Sequence, residues 1–162
     1  MGTTRMPYIH GTHDGRAALT RVAIIDAARH REHKQSRNPV LRGVKPYRAL
    51  IDTGATSTMI TRNVVSELAL QPATKLPYHS KDGLIWTTAY LFHVAFYGEK
   101  VALPGDFEED GESLVESIHV CTCVIIGGEI SNEPSFDVLL GMDVITTGTL
   151  NIHKDGTFYF VL

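Results

Sequence analysis

Cysteine is scarce in this chain of 162 residues: there are two, Cys121 and Cys123, separated by a single residue. Strand residues so spaced point the same way but make no easy disulfide, so free thiols and a reducing, cytoplasmic setting are expected. Long apolar runs are missing as well. No stretch approaches the length of a membrane-spanning helix. The opening MGTTRMPYIHGTHDG has no apolar core of signal-peptide length. Gly2 follows Met1, but Met6 stands where N-myristoylation requires Ser or Thr. Neither sign of charge dominates, and a formal net charge of −3 leaves no whole-chain footprint for nucleic acid or an anionic membrane. No repeat points to a solenoid. The apolar share, 43%, is ordinary and sufficient for one proper core.

What is present reads mainly as strands. Residues 1–17 are polar and rich in His and Gly, and are expected to form a flexible arm ahead of one domain over 18–162. Residues 18–27, ALTRVAIIDA, carry β-branched weight at Val22, Ile24 and Ile25. The basic stretch 28–43 breaks that pattern and reads as an enlarged hairpin loop before VKPYRALID. TRNVVSELAL fits a short helix, with Thr61 as cap, Val64, Val65 and Leu68 on one face, and Pro72 as stop. Two strand-like runs, KLPYHS and LIWTTAYLFHVAFYG, flank Lys81-Asp82-Gly83, a hairpin turn signal. An acidic loop at 103–116 precedes SIHVCTCVIIGG, read as a strand with Ile118, Val120, Val124 and Ile126 on one face. FDVLLGMDVITTGTLNI follows, with a short apolar strand, a glycine and a brief helical segment. HKDGTFYFVL closes as a hairpin turning at Asp155-Gly156. The expected class is all-β, a small closed β-barrel with one or two short helices.

One strand ends in a charge. In ALIDTGATSTMI, residues 49–60, Asp52 stands between Ile51 and Thr53-Gly54. A buried carboxylate needs partners. The threonine hydroxyl and the N–H groups of a tight glycine turn can supply them. Such an acid is suited to proton transfer, but one carboxylate cannot act as base and acid at once in hydrolysis. That chemistry needs a second, with the pair sharing a proton. Asp-Thr-Gly alone arises by chance in about one chain in thirty of this length. A strand-ending turn in which Asp52 bonds its own backbone would read the same.

The wider context separates these readings. ALIDTGATSTMI resembles the active-site loop of the retropepsin family of single-domain aspartic proteases, and FDVLLGMDVI resembles the family's second signature. The resemblance implies a retropepsin-type barrel over 18–162. In it Asp52 is the catalytic carboxylate and Thr53, Gly54 and Ala55 support its loop. Leu139, Leu140 and Gly141 form the structural second motif. Ser80, Lys81, Asp82, Gly83, Leu84 and Ile85 form the tip of a substrate-covering flap. No second Asp-Thr/Ser-Gly occurs in the chain; Asp137 and Asp143 lack that context. The implied enzyme is therefore a homodimer in which two Asp52 side chains hold one water and hydrolyse peptide bonds of a polypeptide, with no metal or organic cofactor. The alternative is a catalytically silent dimer of the same type that binds or scaffolds peptides. Retroviral members carry an acid two residues after the motif glycine and an arginine after the second-motif glycine. Thr56 and Met142 occupy those positions here, so both partners of that ion pair are replaced together. The LLGMD form looks more like bacterial and cellular relatives.

Three further features carry less. His119, Cys121 and Cys123 would share one strand face and could offer metal ligands. With no fourth ligand nearby, buried thiols and a hydrogen-bonded histidine are the preferred reading. The basic stretch 29–48 reads as a solvated segment balanced by the acidic loop, rather than a nucleic-acid site. Trp86, Tyr90 and Phe92 alternate along one strand, as core residues do.

Overall fold

The structure, a computed structural model, describes residues 8–35, 44–80, 83–102 and 114–162. Its strands are β1 (Tyr8–His13), β2 (Ala18–Asp26), β3 (Tyr47–Ile51), β4 (Met59–Thr61), β5 (Pro72–Ser80), β6 (Gly83–Ala102), β7 (Leu114–Val120), β8 (Ile125–Ile130), β9 (Val138–Leu140), β10 (Thr149–Ile152) and β11 (Thr157–Val161). Three helices are described: α1 (Ala27–Gln35), α2 (Arg62–Leu68) and α3 (Met142–Ile145). All eleven strands form one sheet, in the order β10-β11-β1-β2-β3-β9-β4-β8-β6-β5, with β7 also on β6. A further pairing joins β2 to β6 and closes the path through β3, β9, β4 and β8 into a ring. The mostly-β class stands. Six strands make that ring, and β1 with β11 and β10, β5, and β7 extend from it; the helices number three among the described residues, not one or two.

The long strand β6 makes the ring possible because it changes partner along its length. It pairs with β5 from Gly83 to Tyr90, with β8 at Ala89 to Phe92, with β2 at Phe92 to Phe96, and with β7 from Ala95 onward. Inside the ring, Tyr90, Phe92, Val94 and Phe96 alternate inward against Val22, Ile24, Ile60, Val138 and Leu140. Phe92 and Phe96 are fully buried, and each such side chain contributes on the order of 1.5–3 kcal/mol. Tyr90 and Phe92 thus behave as core residues. Trp86, expected to join them, is 62% exposed because β6 has by then left the ring for the β5 hairpin.

Three further expectations change. Residues 8–13, assigned to the flexible arm, form β1, which pairs with β11 from Tyr8 to Thr12 and whose end pairs with β2. Residues 1–7 lie outside the described residues. The stretch 28–43 is not simply a loop, since 27–35 is helical; 36–43 lie outside the described residues. Helix α1 starts where Asp26 Oδ1 accepts the backbone N–H of Arg29, 3.0 Å away, as an N-cap does. Two alanines and long straight side chains then favour the helix. It is polar all round, so no apolar period betrays it. His30 anchors it, with its ring 4.2 Å from that of buried His93. Lastly, the run around Cys121 is two strands rather than one. β7 ends at Val120, Cys121 N–H bonds Val94 O at 2.8 Å, and the chain turns before β8, leaving Val124 and Ile126 each 48% exposed. The acidic loop lies outside the described residues at 103–113, while 114–116 belong to β7.

The break gives the two free thiols different surroundings. Burial pushes the Cys121 thiol up to about 11, whereas Cys123 is only partly buried. At pH 8 about one Cys121 in a thousand is thiolate. Iodoacetamide at that pH is expected to label Cys123 in the native protein and Cys121 only after denaturation. Equal labelling of both native thiols, read by peptide mass spectrometry, would contradict this packing.

Candidate active site

The loop at 52–58 owes its path to strand order. β3 lies parallel to β9, with Ile51 opposite Leu140, while β4 lies antiparallel on the other side, with Met59 opposite Leu139. A chain leaving β3 must therefore cross the end of β9 to enter β4. The crossing passes over Gly141, the residue that follows β9. A Cβ at Gly141 would lie 2.5 Å from Ser57 C and 2.7 Å from Ser57 O. Those are backbone atoms that cannot rotate away, so only glycine allows the loop to lie this close.

Hydrogen bonds hold the loop along its whole length. Asp52 N–H donates to Leu140 O at 3.0 Å, and Ala55 N–H donates back to Asp52 O at 3.2 Å. From the far side, Met142 N–H reaches Ala55 O at 2.8 Å and Asp143 N–H reaches Thr56 O at 3.2 Å. The loop's end is held by Thr58, which is fully buried. Its hydroxyl accepts from Gly141 N–H at 3.1 Å and donates to Asp143 Oδ1 at 2.7 Å. Its N–H lies 3.0 Å from each Asp143 oxygen.

Asp52 occupies the start of this loop, half-buried, with Oδ1 accepting Gly54 N–H at 2.9 Å. The turn reading of Asp-Thr-Gly is therefore realised: the aspartate does bond its own backbone. That bond also fixes the carboxylate's orientation, which a proton-transferring acid requires. Thr53, Gly54 and Thr56 are exposed beside it, and Ala55 is partly buried. Met142, in the position where retroviral members carry arginine, is 36% exposed and uses only its backbone to hold the loop.

The structure thus brings Asp52, Thr53, Gly54 and Ala55 together with Leu139, Leu140 and Gly141. The expected flap is a separate element. Ser80 pairs with Gly83 at its tip, His79 with Leu84, and Tyr78 with Ile85. Lys81 and Asp82 lie outside the described residues. Leu84, Ile85 and Trp86 are exposed apolar side chains on the hairpin. Its base connects to the loop through β8: Thr87 Oγ1 donates to Glu129 O at 2.6 Å, and Gly128 N–H donates to Thr58 O at 3.2 Å. Two residues of the site escaped sequence reasoning. Asp143 lacks a Thr-Gly context in the sequence, and nothing there distinguishes Thr58 from its polar neighbours. The only signal available was their combination, a hydroxyl at the end of the first motif and an acid just after the second glycine. Asp137 has a local duty, accepting Arg48 N–H on Oδ2 at 3.0 Å.

His119, Cys121 and Cys123 do not share a strand face, since Cys121 lies beyond the end of β7. His119 Nε2 lies 3.3 Å from Ser117 Oγ, and no metal-holding cluster of three His, Cys, Asp or Glu side chains occurs among the described residues. No helix among the described residues is long and apolar enough to cross a membrane.

A carboxylate presented by a glycine turn and locked against a second glycine motif is the kind of centre found in aspartic proteases. Residues 40–94 of the chain match the aspartyl protease family, a segment holding Asp52, Thr53, Gly54 and the hairpin. The match supports the resemblance to retropepsin-like aspartic proteases that the two motifs carry. Among solved structures, a retropepsin-like aspartic protease from Rickettsia conorii aligns at 12% identity with a TM-score of 0.47, covering 99% of this chain and 94% of that one. No curated protein matches the chain significantly.

The close approach at Gly141 makes a sharp prediction. Gly141→Ala is expected to cost about 1–3 kcal/mol, the usual range for overpacking, because backbone must move to admit the methyl group. A denaturation midpoint equal to that of the unsubstituted protein would show that the loop does not lie where described.

Proposed function

We propose that the protein is an aspartic endopeptidase that works as a homodimer, cleaving extended polypeptide segments. The observation that carries this reading is the single Asp52 loop: an oriented, half-buried carboxylate on a firmly held turn whose outer residues, Thr53, Gly54 and Thr56, face solvent. One carboxylate is half of a hydrolytic site, and a second copy of the same loop supplies the other half. In this reading Thr53, exposed on the loop, bonds across the two-fold axis of the dimer, and Gly54 lets substrate backbone come near. Two free thiols suit a reducing, cytoplasmic setting.

The chemistry follows from the pair. With Oδ1 of each Asp52 engaged by Gly54 N–H, the outer oxygens share one proton and hold one water between them. One Asp52 takes a proton from the water as its oxygen attacks the scissile carbonyl carbon. The other gives its proton to the carbonyl oxygen, forming a neutral tetrahedral diol. In the collapse of the diol, the Asp52 that took the proton from water delivers it to the leaving nitrogen as the C–N bond breaks. The other Asp52, now ionised, takes a hydroxyl proton from the diol as the new carboxyl C=O forms, which restores the shared proton. No step requires a metal or organic cofactor. The β5–β6 hairpin, with Leu84, Ile85 and Trp86 exposed, offers apolar side chains to cover a bound peptide.

Asp52→Asn is the direct test. The amide cannot take the proton from water, so cleavage of a responsive peptide by purified dimer is expected to fall about 10³-fold or more. Undiminished cleavage would sink the mechanism. Dimers of the unsubstituted chain that bind peptides without cutting any of a diverse library would favour the silent scaffold instead.

A further inference from the structure

Peptide hydrolysis by two Asp52 groups makes no direct use of Asp143, yet its carboxylate is heavily engaged. It accepts Thr58 N–H on both oxygens, and Oδ1 also accepts the Thr58 hydroxyl at 2.7 Å and Val144 N–H at 2.9 Å. All of these partners are donors, as an acceptor-only carboxylate requires. The Thr58 hydroxyl is committed in both directions, receiving Gly141 N–H and giving its own proton to Asp143. A single side chain therefore fastens the far end of the loop to α3, while its own backbone N–H holds Thr56 O. The start of the loop is held independently at Leu140.

We propose that Asp143 is a positioning residue for Asp52, which sets the rate of peptide cleavage by holding the loop of its own chain in reactive geometry. The proposal rests on the reading of Asp52 as the catalytic acid. Asp143 acts through Thr58. Charge-assisted hydrogen bonds of this kind are strong and directional, and displacement of a catalytic group by about 1 Å costs on the order of 100-fold in rate. The retroviral alternative, an ion pair at positions 56 and 142, is absent. The Asp143–Thr58 latch supplies the restraint within one protomer, before any partner arrives.

The test uses the full-length chain and compares Asp143→Ala, Thr58→Val and Thr58→Ser at a temperature where each is folded and dimeric. Asp143→Ala and Thr58→Val are expected to lower kcat about 10- to 100-fold with KM within about threefold, whereas Thr58→Ser, which keeps the hydroxyl, retains most of the rate. A lowered melting temperature with kcat per dimer unchanged would reduce Asp143 to a stabilising role and overturn the proposal. If Asp143→Ala does not fold, the Thr58 pair decides, and equal rates for Val and Ser overturn it. If the unsubstituted chain cuts no peptide, the endopeptidase reading falls by itself. Amide exchange at Gly54 and Ala55 then judges the latch: at least tenfold faster exchange in Asp143→Ala, or in Thr58→Val relative to Thr58→Ser, supports it, and unchanged exchange overturns it.

Discussion

The site depends on one steric constraint: the loop at 52–58 must cross the end of β9, and it can do so only because Gly141 has no side chain. β9 lies between the two strands that the loop connects, so the crossing is a consequence of strand order rather than of loop sequence. Once the Ser57 backbone rests on Gly141, the amides of residues 141–143 are brought to the loop's carbonyls and hydroxyl. The same contact leaves Asp52 at the rim, where Gly54 N–H can orient it. Each motif is the other's template, which is why they are separated in the chain by nearly ninety residues and in space by a van der Waals contact.

The ring of strands serves this crossing. β2 and β6 close it on the side away from β9, and four buried side chains of β6 fill its interior. Hydrogen-bonding demand is also met over long range. The helix α2 has Thr61 at its N-cap, but the threonine hydroxyl makes no capping bond. Asn132 takes the role instead, accepting Asn63 N–H at 2.9 Å and donating to Asn63 Oδ1 at the same distance. Arg62 meets Glu129 at 3.1 Å nearby, and Glu129 also receives the Tyr90 hydroxyl. Burial and this bond push the Tyr90 hydroxyl up to about 12, so it remains a donor throughout the neutral range.

How much of this was legible in the sequence varies with how local the cause is. The β5–β6 hairpin, the α2 helix and the final hairpin at Asp155-Gly156 follow from turn residues and apolar alternation, and they stand where expected. Asp52 and its glycine turn were legible for the same reason, since the motif is a continuous stretch. The closing of α2 by Pro72 was close but not the mechanism: the helix ends at Ala69, in the left-handed conformation with φ of 50°, and Pro72 opens β5. The break at Cys121 was hidden because its cause is tertiary, a bond to Val94. Helix α1 has a local cap in Asp26 but no apolar period to mark it, and the histidine contact that seats it is tertiary. Strand β1 was hidden because Gly and His dilute its pattern; it is paired with β11, nearly the whole chain away. The Thr58–Asp143 connection is of that kind too, a partnership between residues 85 apart.

At one end of the sheet lies β5, whose outer edge has no strand beside it among the described residues. It carries Pro72 and Pro77, neither of which has an N–H to offer a neighbour. An open edge of this kind would otherwise be an invitation to add further strands, including a second hairpin. Prolines at two places along that edge interrupt the ladder that such an addition would need. The hairpin thereby keeps Leu84, Ile85 and Trp86 exposed without becoming a seed for sheet growth.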